Sequence, residues 1–112
     1  MFISNVRKII ETEFSLEGAQ GVKIQTLIDK PLAKNFIMRR FIMDVNGKTP
    51  LHKHNYEHEI FVLSGKGMVR NGVKEYPISK NSVVFLAANE FHQFLNRGKV
   101  SLILLCMIPM IN

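Results

Sequence analysis

Cysteine is almost absent from this chain: Cys106 is the only one in 112 residues. A single thiol excludes an internal disulfide and suits a reducing compartment. Long apolar runs are missing as well. The most hydrophobic segment, Val100 to Ile111, contains Pro109 and falls far short of the ~20 residues a membrane-spanning helix requires. Met1 to Ile10 is broken early by Ser4, Asn5, Arg7 and Lys8, so it lacks the continuous apolar stretch of a secretory signal. The expectation is a cytoplasmic protein with no membrane partner. Runs of one charge sign are equally scarce. The formal net charge is +6, yet the 15 Lys and Arg are scattered from Arg7 to Lys99 with no run longer than two. No aromatics interleave with them to stack bases, so a solvated basic surface is expected and no nucleic-acid partner.

Helical periodicity is lacking too. Turn residues recur too often between Val22 and Ile108 for ten-residue helices to fit between them. What remains is a series of short β-prone runs: Val22 to Leu27, Phe36 to Val45, Glu59 to Leu63, Met68 to Arg70, Val73 to Ile78, Ser82 to Leu86, Phe91 to Leu95 and Val100 to Ile108. Asn46-Gly47, Ser64 to Gly67, Asn71-Gly72, Ser79 to Asn81 and Asn96 to Gly98 punctuate them. Asn71-Gly72 predicts a type I′ hairpin turn, since both residues tolerate positive φ. With 46% hydrophobic residues, the chain is long enough for one core and too short for two. The expected fold is all-β and antiparallel, one domain over residues 1–112. Residues 1–20 read as an extended arm, a short helix capped by Ser4-Asn5 being the other reading, and 22–108 as the barrel.

Histidine is scarce and clustered. Three of the four lie in His52-Lys53-His54-Asn55-Tyr56-Glu57-His58, and the fourth, His92, follows in Phe91-His92-Gln93-Phe94-Leu95. In a strand, residues two apart share a face, so His52 and His54 project together, and His58 joins them if the bend at Asn55-Tyr56 preserves register. Glu57 and Glu59 have the opposite parity and are second choices as ligands. Antiparallel pairing would bring His92 opposite the cluster. Several imidazoles buried together without a partner are costly, whereas four imidazoles form a site for one divalent metal ion without any thiolate.

The stretches Gly47 to Gly65 and Asn81 to Asn96 resemble the two motifs of the cupin superfamily. His52 to Gly65 is especially similar to small single-domain cupins with a four-histidine, manganese-type site. His58 stands near where most cupins carry a glutamate; Lys80 or Asn81 and Ala87 stand where the second motif usually has glycine and proline. The resemblance implies a cupin jelly-roll β-barrel with the metal near one mouth. It also implies a homodimer in which the N-terminal arm takes part. The implied cofactor is Mn2+ or Fe2+, with Zn2+, Ni2+ and Cu2+ as alternatives that an all-nitrogen site also accepts.

Parity on the neighbouring strands predicts that Phe94, Leu104 and Cys106 line the cavity. Of the adjacent Arg39 and Arg40 only one can face inward, and Arg39 is the choice. An inward guanidinium would bind a carboxylate bidentately and favour a small organic acid as ligand. Arg39 and Cys106 are therefore the candidate catalytic residues. Two functions compete: a metal-dependent oxygenase or related redox enzyme acting on a small molecule, and a non-catalytic ligand-binding or sensory protein with a structural metal. A closed structural zinc site fits less well, because such sites usually include cysteine.

Overall fold

A computed structural model describes residues 1–111. The strands are β1 (Thr12–Glu13), β2 (Gln20–Ile28), β3 (Phe36–Lys48), β4 (His58–Ser64), β5 (Lys66–Arg70), β6 (Glu75–Ser79), β7 (Val83–Leu86), β8 (Gln93–Leu95) and β9 (Leu102–Pro109). All pair antiparallel in the order β6-β5-β8-β3-β9-β4-β7, with β2 on β3 and β1 on β2. The strands β6 and β7 are consecutive in the chain yet stand at opposite ends of this order, so the sheet curls back on itself as a jelly-roll. The fold is all-β and antiparallel, as the turn spacing led us to expect.

Strand β3 is the axle. Its first part pairs with β9 from Phe36 opposite Pro109 to Met43 opposite Leu102, and its end reaches the other layer, where Lys48 faces Leu95 of β8. Asn46-Gly47 does not end this strand, contrary to the sequence reading. Asn46 takes φ 67°, and the pairing with β2 jumps from Val22–Met43 to Gln20–Lys48. The pair thus makes a bulge that bends a continuous strand around the barrel. Alternation fixes what is inside: β4 and β9 bury every second residue. Met43, Val62, Leu102, Leu104 and Ile108 meet in one core, where truncating a large side chain costs about 2–5 kcal/mol.

Two further expectations change. The hairpin over β5 and β6 is present, but Arg70 pairs with Glu75, so its loop has four residues, Asn71 to Lys74, and Val73 belongs to the loop. Only Gly72 of the Asn71-Gly72 pair has positive φ. The Asn71 side chain instead accepts hydrogen bonds from the Val73 and Lys74 amides, which favours the longer loop over a type I′ turn. The arm, expected to be extended, contains a single 3-10 turn at Val6–Lys8, capped by Asn5 accepting from the Arg7 amide. The buried Gln25 side chain donates to the Val6 and Ile9 carbonyls and ties this turn to β2. The strand-like part of the arm shrinks to the edge strand β1.

Candidate metal centre

Two short segments are stitched together to make the site. His52 and His92 form an isolated antiparallel bridge, exchanging backbone hydrogen bonds of 3.1 and 2.9 Å. Next to it, the Asn89 amide donates to the His54 carbonyl at 2.7 Å. Thr49, almost fully buried, accepts the Phe94 amide at its hydroxyl (2.8 Å) and donates its own amide to the Phe94 carbonyl. His58 opens β4 on the inward face, and Glu59 after it points out to solvent. The bend at Asn55-Tyr56 therefore keeps the even residues inside.

One nitrogen from each of His52, His54 and His92 lies within 4.8 Å of the others. The rings stand 4.7 to 5.5 Å apart. His58 sits outside that trio of nitrogens but against it: its ring is 4.2 Å from that of His54, and its Nε2 is 3.4 Å from the Arg39 guanidinium. The Nδ1 of His54 is 3.1 Å from the Tyr56 carbonyl, and the Nδ1 of His92 is 2.9 Å from the Glu90 carbonyl. A carbonyl can only accept, so each Nδ1 carries the proton and each Nε2 is left with a free lone pair. Both of those Nε2 atoms are buried without a partner, as is Nδ1 of His58. Orphaned buried nitrogens of this kind are what a metal ion satisfies, and a carbonyl behind each ligand fixes its tautomer and orientation.

Electrostatics agree. Burial, together with the neighbouring His92 and His54, pushes the His52 pKa down to about 4. Burial, with His54 and Arg39 adding to it, pushes His58 down to about 2. His54 and His92 are also lowered, mainly by burial, partly offset by their carbonyl partners. The four rings are neutral at physiological pH, the state in which imidazole binds metal.

The cluster forms one wall of a cavity of about 300 Å³. Phe94, Leu104 and Cys106, named above from strand parity, line it, and so does Arg39. Arg40 turns outward instead and donates to the Gln25 side chain at 2.8 Å. Arg39 lies over the Phe41 ring, 5.2 Å from its centroid, and 3.7 Å from the Cys106 sulfur. Burial raises the Cys106 pKa, with Arg39 pulling the other way, so the thiol stays protonated. The sequence reading missed Phe41, Ile60 and Tyr56. The first two share parity with Arg39 and His58, so alternation alone would have found them. Tyr56 stacks on the His54 ring at 4.1 Å, nearly parallel. Phe14 and Leu16 also line the cavity, brought there by the loop after β1, and Phe14 packs edge-on against Phe41. Nothing in their local pattern signals that role.

This curled antiparallel barrel, with a histidine cluster able to hold a metal ion, defines a metal-site jelly-roll protein. The sequence matches the cupin domain over residues 39–108, and the chain belongs to the cupin family. It is 28% identical over 106 residues to an uncharacterised protein of Methanocaldococcus jannaschii, covering 88% of this chain and 85% of that one. Among solved structures it is similar to the polyketide cyclase RemF from Streptomyces resistomycificus, with 26% identity and a TM-score of 0.91 over 97% of this chain and 79% of that one. It is also similar to a predicted oxalate decarboxylase of Thermotoga maritima, with 27% identity and a TM-score of 0.86 over 98% of this chain and all of the other. Among the described residues no helix is long and apolar enough to cross a membrane.

Proposed function

We propose that the protein is a metal-dependent cupin enzyme, an oxygenase or related redox catalyst, acting on a small organic molecule in the cavity beside the histidines. His52, His54 and His92 would hold one divalent ion, with His58 as the fourth ligand, and Mn2+ or Fe2+ as the native metal. The observation that carries this reading is the pair of buried, unpartnered Nε2 atoms at His54 and His92, converging with His52 at the wall of a largely apolar cavity. When bound, such an ion supplies Lewis acidity and, for manganese or iron, redox capacity.

The chain's own residues define what surrounds that chemistry. Tyr56 and Glu90 hold the ligand tautomers through their carbonyls. Phe14, Phe41, Ile60 and Phe94 exclude water and strengthen polar interactions inside the cavity. Among the described residues no Asp or Glu lines it, so none of them offers a carboxylate there as a general acid or base. That favours chemistry at the ion itself over carboxylate-driven hydrolysis. Similarity to a polyketide cyclase and to a predicted oxalate decarboxylase supports turnover over mere binding.

The working form in this reading is a cytoplasmic homodimer of single-domain chains. The outer face of β4 and β7 exposes Phe61, Leu63, Val83 and Phe85, and Phe61 stands directly between Val83 and Leu105 in the sheet. The arm held by Gln25 carries the exposed Phe2 and Ile3, further apolar surface for a second copy.

Elemental analysis of protein purified without chelator or affinity-tag metal tests the centre. Near-stoichiometric manganese or iron, lost in a His52→Ala/His92→Ala variant, together with metal-dependent oxygen consumption on small organic substrates, is the expected result. Full zinc or nickel with ligand binding and no turnover would move the protein to the binding or sensory class. Absence of any metal would overturn the reading.

A further inference from the structure

We infer that Arg39 is the anion anchor of the cavity and that the molecule bound there is a small organic acid, its carboxylate on the guanidinium and its body against the apolar wall. This rests on the cavity being the substrate site and names the class of substrate. The argument is one of missing charge. Arg39 is half-buried and faces the cavity, yet none of the cavity-lining residues is acidic. The ion pairs among the described residues involve only Glu75 with Arg70 and Arg97. What touches Arg39 is neutral: the His58 ring, the Cys106 thiol and the Phe41 face. Its Nε is buried with no hydrogen-bond partner at all.

A guanidinium offers five N–H donors in a planar fork that matches a carboxylate. Here at most two contacts are made, one of them to sulfur. A cation withdrawn from water without a counter-charge is expensive to maintain, and a ligand carboxylate would supply both the charge and the acceptors. The rest of the cavity restricts that ligand's body. Phe14, Leu16, Ile60, Phe94 and Leu104 make most of it apolar; the other cation in the lining, Lys53, holds its ammonium over the Phe91 ring, and about 300 Å³ lies at the small end of ligand sites. The rigidity of the anchor supports the assignment. Arg39 sits mid-strand, paired with Cys106 on one side and Thr26 on the other, and the Phe41 ring backs its guanidinium plane. A second oxygen on the acid would face the histidines, since His58 spans the space between Arg39 and His54.

The test compares acids with neutral amides of the same shape: benzoate against benzamide, and hexanoate against hexanamide. Binding is measured by calorimetry on chelator-treated protein and again after metal is restored. We expect each acid to bind at least tenfold more tightly than its amide. Arg39→Met should erase that preference, Arg39→Lys should keep part of it, and Arg40→Gln should leave it unchanged, with folding of each variant checked by circular dichroism. Equal binding of acids and amides, no measurable binding of either acid, or a preference that survives in a folded Arg39→Met or Arg39→Gln variant would overturn the inference. A preference that holds in metal-free protein while the metal analysis fails would separate this conclusion from the proposed metal chemistry.

Discussion

Acidification from pH 7 to pH 5 is expected to destabilise the metal-free protein by roughly 3 kcal/mol, a magnitude that follows from the histidine cluster. In the unfolded chain each histidine titrates near 6.5, while in the folded protein His58 is held down to about 2 and His52 to about 4. Below pH 6.5 the unfolded state therefore binds protons that the folded state refuses. Stability is fully present above that pH and is lost as pH falls toward the folded values. For a histidine that stays neutral throughout, the loss between pH 7 and 5 is roughly 2 kcal/mol. His58 is buried and takes that figure whole. His52 is only partly buried, and solvent screening reduces its share to about half. His54 and His92 act in the same direction. For a domain of 112 residues, ~3 kcal/mol corresponds to a fall in Tm of about 10 °C. Thermal unfolding of chelator-treated protein at closely spaced pH values measures it, and stopping at pH 5 keeps most carboxylates out of the titration. A Tm that is flat across this range would refute the claim that the fold holds the four rings neutral. Restored metal should raise Tm at pH 7 and make the acid-side fall steeper, because protons and metal compete for the same nitrogens.

Two other perturbations probe the scaffold and the assembly. Asn96 is buried and ties β3 to the connection between β8 and β9: its amide lies within 3.1 Å of the Met43, Asp44 and Val100 carbonyls, and its Oδ1 accepts the Gly98 amide. Asn96→Ala should cost about 2–3 kcal/mol in urea unfolding while leaving metal stoichiometry intact, and a near-neutral effect would contradict this role. Phe61→Lys combined with Phe85→Lys should convert a dimer to a monomer by light scattering without loss of metal. A monomeric parent protein would remove the second copy from the proposal.

The alternation of β4 and β9, and hence the inward set His58, Leu104 and Cys106, was legible because side-chain direction in a strand is a local property with period two. The same rule put Arg39 and Arg40 on opposite faces without saying which is inward; in the fold Arg39 lines the cavity. What was illegible depended on curvature and on distant register. Asn46-Gly47 looks like a chain reversal in sequence; in the fold, the Asn46 φ bends β3 without ending it. Phe14 and Leu16 reach the cavity only because β1 hangs on β2 and β2 on β3, a chain of pairings no local pattern encodes. The same holds for the meeting of His52 with His92, which requires two connecting segments to bridge at one residue pair. The four histidines could be nominated from sequence, but not the unequal roles the geometry assigns them, with three nitrogens grouped and the fourth ring turned to Arg39.

That inequality leads to a last prediction, His58→Glu. The position faces a guanidinium that has no counter-charge. A carboxylate at position 58 would stand where Nε2 now lies, 3.4 Å from Arg39, and would form the ion pair the cavity lacks. The internal pair would then compete with any ligand acid, so affinity for benzoate should fall at least tenfold, or by about 1.4 kcal/mol, while benzamide binding stays unchanged. Metal should still bind, since His52, His54 and His92 are untouched and the new carboxylate lowers the charge of the site. The acid-induced loss of Tm should shrink by the share assigned to His58. If benzoate affinity survives the substitution, the carboxylate of the ligand does not sit on Arg39. If only the pH dependence survives, the buried neutral state of His58 is not what couples stability to protons.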